Sequence, residues 1–422
     1  MSIINFYKNF NLTESKTFCM APWVHLYSSP SGDAAPCCIA ESCGHGGLGN
    51  TRTQSLMEIV NSEKMKDIRK DMLTNTPNNE CKKCYDHEKQ GIRSSRNMLN
   101  KEFSEFYDES LEHTLEDGSL TEFKMRYFDV RFSNICNFKC RTCGGGFSSQ
   151  WEQEDLKNNL PYARIYPKND NPDFLKEIIE QVPNFKTAYF AGGEPLITEE
   201  HYILLEEMIR TGASNTVSLR YNTNLSNFKF KDKDILSLWK HFKKKIDIYA
   251  SVDHYGERAE YIRHGTNWAT VEENLILAKK TPFINLQMNT VLSVFNFLTI
   301  GEFYQYLIDK KLYTPNGYAY TLYNMSTPEH YTCHILPPEY KMKGKESLEF
   351  AIEYMEKKYF TPYHVLQLKE AMVWALLYDT WDQHKYAFRN EIKRVDKIRG
   401  EDFRKTFPEL AGLLDFDKRP VV

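Results

Sequence analysis

No stretch of this chain approaches the ~18 consecutive apolar residues that a membrane-spanning helix needs. The opening Met1-Ser-Ile-Ile-Asn-Phe-Tyr-Lys8 also lacks the basic start, apolar core and small-residue cleavage site of a secretion signal. A cytoplasmic location is the expectation. Excess charge of one sign is missing too: a net charge of −3 gives no global signature of nucleic-acid binding, and Lys243-Lys244-Lys245 reads as a solvated helix end. There is no periodic repeat and no long low-complexity stretch. Cysteine is too scarce for a disulfide scaffold, with ten in 422 residues, and nine of the ten fall between Cys19 and Cys143, leaving only Cys333 beyond. Clustered thiols in a reducing compartment point to metal.

What is present is an ordinary globular composition, 41% hydrophobic, on a chain long enough for about two or three domains. From about 125 to 324, short β-branched and aromatic runs alternate with amphipathic stretches. Strands are predicted near Lys124 to Phe132, Lys186 to Phe190, Thr216 to Tyr221, Lys245 to Val252, Phe283 to Leu292 and Tyr318 to Tyr323. Helices are predicted over Asp173 to Gln181, Thr198 to Arg210, Lys233 to Lys244, Thr270 to Lys280 and Ile300 to Lys311. Strand followed by helix, repeated, predicts a parallel sheet, either doubly wound or a partial barrel, with catalytic groups at the carboxyl ends of the strands. Residues 15 to 100 have cysteines and glycines but no such rhythm, and the chain after 330 is mostly helical and rich in aromatics. The expected divisions are 1–122, 123–325 and 326–422.

The most specific motif is Cys136-Asn-Phe-Lys-Cys140-Arg-Thr-Cys143, directly after the first strand. Three thiolates at this spacing can hold three corners of a four-iron cube and leave the fourth iron for a substrate or cofactor. A zinc site is the alternative for such thiols, but it closes its shell with four ligands. The second strand ends in Gly192-Gly193-Glu194-Pro195, the third in Asn222-Thr-Asn224 and the fourth in Ser251-Val-Asp253; Tyr261-Ile-Arg263-His264-Gly265 follows. Glycines expose backbone carbonyls to an ammonium, Glu194 supplies negative charge, and a guanidinium suits a planar carboxylate.

This set resembles the radical SAM superfamily. The resemblance implies a partial (β/α)6 TIM barrel of parallel strands, with Cys136, Cys140 and Cys143 on a [4Fe-4S] cluster whose open iron binds S-adenosyl-L-methionine. It assigns Gly192, Gly193, Glu194 and Pro195 to the cofactor's amine, and Asn222, Asn224, Ser251 and Arg263 to its ribose or carboxylate. The reaction implied is reductive cleavage to a 5′-deoxyadenosyl radical, followed by hydrogen-atom abstraction from a substrate. One departure is Thr142, where the superfamily commonly has an aromatic residue near adenine.

A second group of thiols lies earlier: Cys19-Met-Ala-Pro-Trp23, Gly32 to Cys37-Cys38, and Cys81-Lys-Lys-Cys84. It resembles the twitch module, a shortened SPASM domain holding an auxiliary [4Fe-4S] cluster, here placed before the barrel. Cys19, Cys37, Cys81 and Cys84 are the expected ligands. Cys38 is the alternative to Cys37, because neighbours in an extended chain point to opposite sides; Cys43 is a bystander. Zinc remains open for this module, since both metals accept four thiolates. A redox-active cluster there would let the enzyme accept an electron from a substrate radical. Relatives of this kind often modify ribosomally made peptides, so a peptide is the first expected substrate, with a carbohydrate, nucleotide or other small metabolite as the alternative and a flavodoxin or ferredoxin as electron donor. Cys333 is read either as a hydrogen-atom donor or as an inert buried thiol. A non-catalytic zinc-binding protein is the competing class.

Overall fold

The structure, a computed structural model, describes residues 15–43, 47–91, 93–162, 164–315 and 321–416. The N-terminal residues read for a secretion signal, and the start of the last predicted strand at Tyr318, lie outside them. The strands in chain order are β1 His25–Ser28, β2 Asp33–Ala35, β3 Gly49–Asn50, β4 Tyr127–Val130, β5 Thr187–Phe190, β6 Ser218–Thr223, β7 Lys229–Phe230, β8 Lys233–Asp234, β9 Ile246–Ser251, β10 Ile284–Leu292 and β11 Thr321–Asn324. The chain forms two compact units: Met1–Ile135 with Ala163–Tyr221 and Lys231–Ile246, and Cys136–Tyr162 with Asn222–Phe230 and Asp247–Val422. The fold is mixed α/β on parallel strands, with the strand–helix alternation expected of a partial (β/α)6 barrel and a helical C-terminal region.

In the first unit the strand order is β3-β2-β1-β4-β5-β6, with β4, β5 and β6 parallel. Phe128, Phe190 and Tyr221 project to one side. The Phe128 ring meets Phe185 and Phe190, and Phe190 meets Tyr221, at centroid distances of 5.2–5.4 Å, and Trp239 Nε1 donates to the Tyr221 hydroxyl at 3.1 Å. Tyr127, Asp129, Tyr189 and Arg220 occupy the alternate positions, so this parallel sheet has one apolar and one polar face.

The N-terminal segment departs from its prediction. β1 pairs in parallel with β4, His25 opposite Tyr127 through Ser28 opposite Val130, and is also antiparallel to β2. A strand of the cysteine-rich segment therefore extends the parallel sheet, and all four of its residues are buried. The helix predicted over Lys233 to Lys244 shrinks to Ile235–Trp239, capped by the Asp234 side chain. Beyond Phe242 the backbone turns to other partners, with Lys243 N–H donating to Ser214 O at 3.1 Å.

The second unit contains β9, β10 and β11 side by side. β10 alternates strictly, burying Ile284, Leu286, Met288, Thr290 and Leu292 and leaving Asn285, Gln287, Asn289 and Val291 half-buried. Helix Trp268–Lys280 starts where Asn267 accepts from the Thr270 N–H, the expected use of asparagine at a helix start. Helices Pro338–Lys357, Pro362–Leu376 and Trp381–Arg399 make up most of the C-terminal region.

Candidate cofactor site and metal centres

The loop Cys136 to Cys143 leaves the carboxyl end of β4 and belongs to the second unit. Two backbone hydrogen bonds lay it along the segment after helix Gly256–Ile262: Lys139 N–H to His264 O at 2.9 Å and Arg141 N–H to Ile262 O at 2.7 Å. Gly265 makes this close approach possible. Its φ is +106°, and a Cβ there would stand 2.8 Å from Asn137 O and 3.0 Å from the Phe138 ring. On the other side Trp151 Nε1 donates to Cys140 O at 2.8 Å. Arg141, fully buried, pairs with Asp396 at 2.6 Å and Glu401 at 2.5 Å, with its guanidinium 3.8 Å from the centre of the Tyr261 ring.

Cys140 is buried and Cys136 and Cys143 are half-buried. Burial pushes the Cys140 thiol up to about 12, against the pull of Arg263, and burial also raises Cys143. Arg263 Nη1 lies 3.8 Å from Cys140 Sγ, and its Nε is 2.9 Å from Asp253 Oδ2. Asp253 is itself wholly buried and accepts from Val291 N–H at 2.9 Å. Asn224 Nδ2 donates to Asn137 Oδ1 at 2.9 Å, tying the end of β6 to the cysteine loop. Asn222 and Ser251 are half-buried at the ends of β6 and β9.

In the first unit, Gly192-Gly193-Glu194-Pro195 follows β5. Glu194 N–H donates to the carbonyl of Ile135 at 2.8 Å, and a Cβ on Gly193 would stand 2.1 Å from that oxygen. Only glycine permits this contact, and Ile135 immediately precedes Cys136. The Glu194 carboxylate is buried and accepts from Leu196 N–H at 3.1 Å, where Pro195 opens a 3-10 turn.

The N-terminal thiols line a cavity within the first unit. Cys19, Cys37, Cys81 and Cys84 are on its walls, with Arg96 beside them. Cys81 ends the short turn Asn79–Cys81 and Cys84 lies on helix Lys82–Lys89, so the two-residue spacing puts both on one side of the helix start. Arg96 carries Phe18 O at 2.9 Å and the Glu88 carboxylate at 3.0 Å, anchoring the chain just before Cys19. Burial raises all four thiols, Cys81 to about 11. Cys38 is exposed and is not among the residues on the cavity wall; Cys43 packs with Tyr27, Ala35 and Ala40. Among the described residues, no group of three or more His, Cys, Asp or Glu side chains converges on a point for a single ion.

Cys333 opens a 3-10 turn, is wholly buried, and has its thiol raised by that burial beside Lys341. The residues that sequence reasoning left without a role are Asp253, Arg96 and Arg141 with its partners Asp396 and Glu401. Asp253 carried a signal, an acid at a strand end ahead of Arg263. The others have partners too distant in sequence to leave one.

Residues 130–307 match the Radical SAM superfamily, and residues 19–85 match SPASM, an iron-sulfur cluster-binding domain. The chain therefore carries a radical SAM domain, preceded by an iron-sulfur cluster-binding domain. A [4Fe-4S] cluster with S-adenosylmethionine, and further iron-sulfur ligation in the N-terminal domain, are the cofactors of these domains. No curated protein matches the chain. Among solved structures, native anSMEcpe with bound AdoMet and Cp18Cys peptide is 17% identical, with a TM-score of 0.37 over 56% of this chain and 61% of that one. Streptococcus suis SuiB bound to S-adenosylmethionine is 14% identical, with a TM-score of 0.37 over 74% of this chain and 64% of that one. The chain thus spans about three fifths of the length of these proteins. Among the described residues no helix is long and apolar enough to cross a membrane.

Proposed function

We propose that this radical SAM enzyme abstracts a hydrogen atom from a ribosomally made peptide in the cytoplasm, with Cys136, Cys140 and Cys143 holding its [4Fe-4S] cluster and a flavodoxin or ferredoxin supplying electrons. The observation that carries the reading is the three-thiol loop at the end of β4, braced on both sides and with a cation against Cys140. When bound, the cluster with S-adenosylmethionine supplies a 5′-deoxyadenosyl radical.

The chain's own residues perform orientation and shielding. The Cys140 sulfur is kept from water by burial and held by Arg263. Asn224 fixes Asn137 inside the loop, so that Cys136 and Cys140 keep their spacing. Within this second unit Asn222, Ser251 and Arg263 offer polar groups suited to a ribose and a carboxylate. In the first unit the Gly192-Gly193 carbonyls and Glu194 suit an ammonium. Cys19, Cys37, Cys81 and Cys84 are the proposed ligands of the auxiliary cluster, supported by their shared place on one cavity wall.

Anaerobic reconstitution tests the reading. Iron and sulfide are counted per chain, S-adenosylmethionine cleavage to 5′-deoxyadenosine is assayed, and synthetic peptides encoded beside the gene are followed by mass spectrometry. Retained cleavage by the Cys136→Ala/Cys140→Ala/Cys143→Ala variant would discard the cluster assignment. Cleavage without a mass change in any peptide, but with consumption of a sugar or nucleotide, would discard the peptide.

A further inference from the structure

We infer that Arg263 and Asp253 form an opposed charge pair that sets the reduction potential of the cluster held by Cys140, with Arg263 as a positioning residue for the sulfur in addition to any contact with the cofactor. The inference rests on the ligand assignment proposed above.

The geometry is specific. Arg263 is placed by backbone: its two neighbours, Ile262 and His264, accept the hydrogen bonds from Arg141 and Lys139 on either side of Cys140. The side chain between those two bonds is thereby directed at the cysteine loop, and Nη1 reaches Cys140 Sγ at 3.8 Å. Its Nε sits 2.9 Å from Asp253 Oδ2. Asp253 is held in turn: its Oδ1 accepts from Val291 N–H at 2.9 Å, and its backbone carbonyl accepts from Asn296 Nδ2 at 3.0 Å. The Asp253 side chain is wholly buried and that of Arg263 nearly so, at 0% and 13% exposed, so solvent screens the two charges little.

A cation donating to a cluster sulfur favours the reduced, more negative state and raises the potential; a nearby carboxylate does the reverse. The pair therefore places the two opposing influences in series, the cation nearer the sulfur. A residue that served only the fold would have no reason to show effects of opposite sign on the two sides of this ion pair.

The test is an anaerobic redox titration of the reconstituted full-length protein followed by electron paramagnetic resonance, without S-adenosylmethionine so that loss of a cofactor contact does not enter. Arg263→Gln is expected to lower the midpoint potential of the three-cysteine cluster and Asp253→Asn to raise it. Arg263→Lys should fall between Arg263→Gln and wild type. The neutral Arg263→Gln/Asp253→Asn double variant, which leaves no uncompensated buried charge, should lie between the single variants and keeps the test open if Arg263→Gln does not fold. Unchanged potentials at full iron content, or shifts of one sign in both single variants, would overturn the inference. A wild-type protein that takes up no iron at Cys136, Cys140 and Cys143 would instead overturn the ligand assignment beneath it.

Discussion

Each cysteine in this chain has a different environment, and substitutions should sort accordingly. Cys136→Ala, Cys140→Ala or Cys143→Ala should each abolish 5′-deoxyadenosine formation, measured by chromatography after anaerobic reduction. In the N-terminal domain, Cys37→Ser should remove the auxiliary cluster's share of the iron, while Cys38→Ser, off the cavity wall, should retain it; iron retained by both variants would place the ligand elsewhere. Cys333→Ala should leave the product unchanged, because the thiol is wholly buried. A product altered at the substrate carbon would instead mark Cys333 as the hydrogen donor. At Gly193, an added methyl meets the Ile135 carbonyl at 2.1 Å, so Gly193→Ala should cost on the order of 1–3 kcal/mol in denaturant unfolding and weaken S-adenosylmethionine binding.

At the scale of elements, the C-terminal helix Trp381–Arg399 and the short stretch after it do more than cover a surface. They supply Asp396 and Glu401 to Arg141, which stands between the second and third cysteines of the loop, and Arg399 pairs with Glu154 at 2.9 Å on the helix behind the loop. Tyr261 adds its hydroxyl to Asp396 at 2.7 Å. Removing one partner from such a buried network costs about 3–5 kcal/mol, because the remaining charges lose their compensation. Arg141→Met should therefore lower unfolding stability by that amount and reduce iron retention on gel filtration. Unchanged stability would show that the acids find other partners. At this scale the sequence predicted a mostly helical, aromatic-rich C-terminal region but gave no sign of what it holds. The partners of Arg141 are about 255 and 260 residues away along the chain, a distance at which no periodicity or spacing carries information.

For the molecule as a whole, acid should be the weak side. His201 and His254 are buried neutral, each held down to about 3 by burial. In the unfolded chain they take up a proton near pH 6.5; folded, they refuse it until far lower. Below about pH 6.5 the unfolded state therefore binds more protons, and stability falls by up to about 1.4 kcal/mol per pH unit for each histidine. Denaturant unfolding of the holoprotein between about pH 7 and about pH 5 should show this loss; a flat profile would mean that both rings are protonated in the fold.

The amino-acid sequence by itself determined the motifs: the three-cysteine loop, the Gly192 to Pro195 turn and the Cys81 and Cys84 pair are local spacings, readable because each lies within a few residues along the chain. It determined the strand–helix alternation as well, since apolar periodicity is local. Tertiary structure alone decided three things. It turned Cys37 and not Cys38 onto the cavity wall, it joined β1 to β4 across a hundred residues, and it gave Arg263 a buried carboxylate and a cysteine sulfur as partners. Each depends on which distant groups share a low-dielectric interior, where an unpaired charge is costly and every polar atom must find its partner through space.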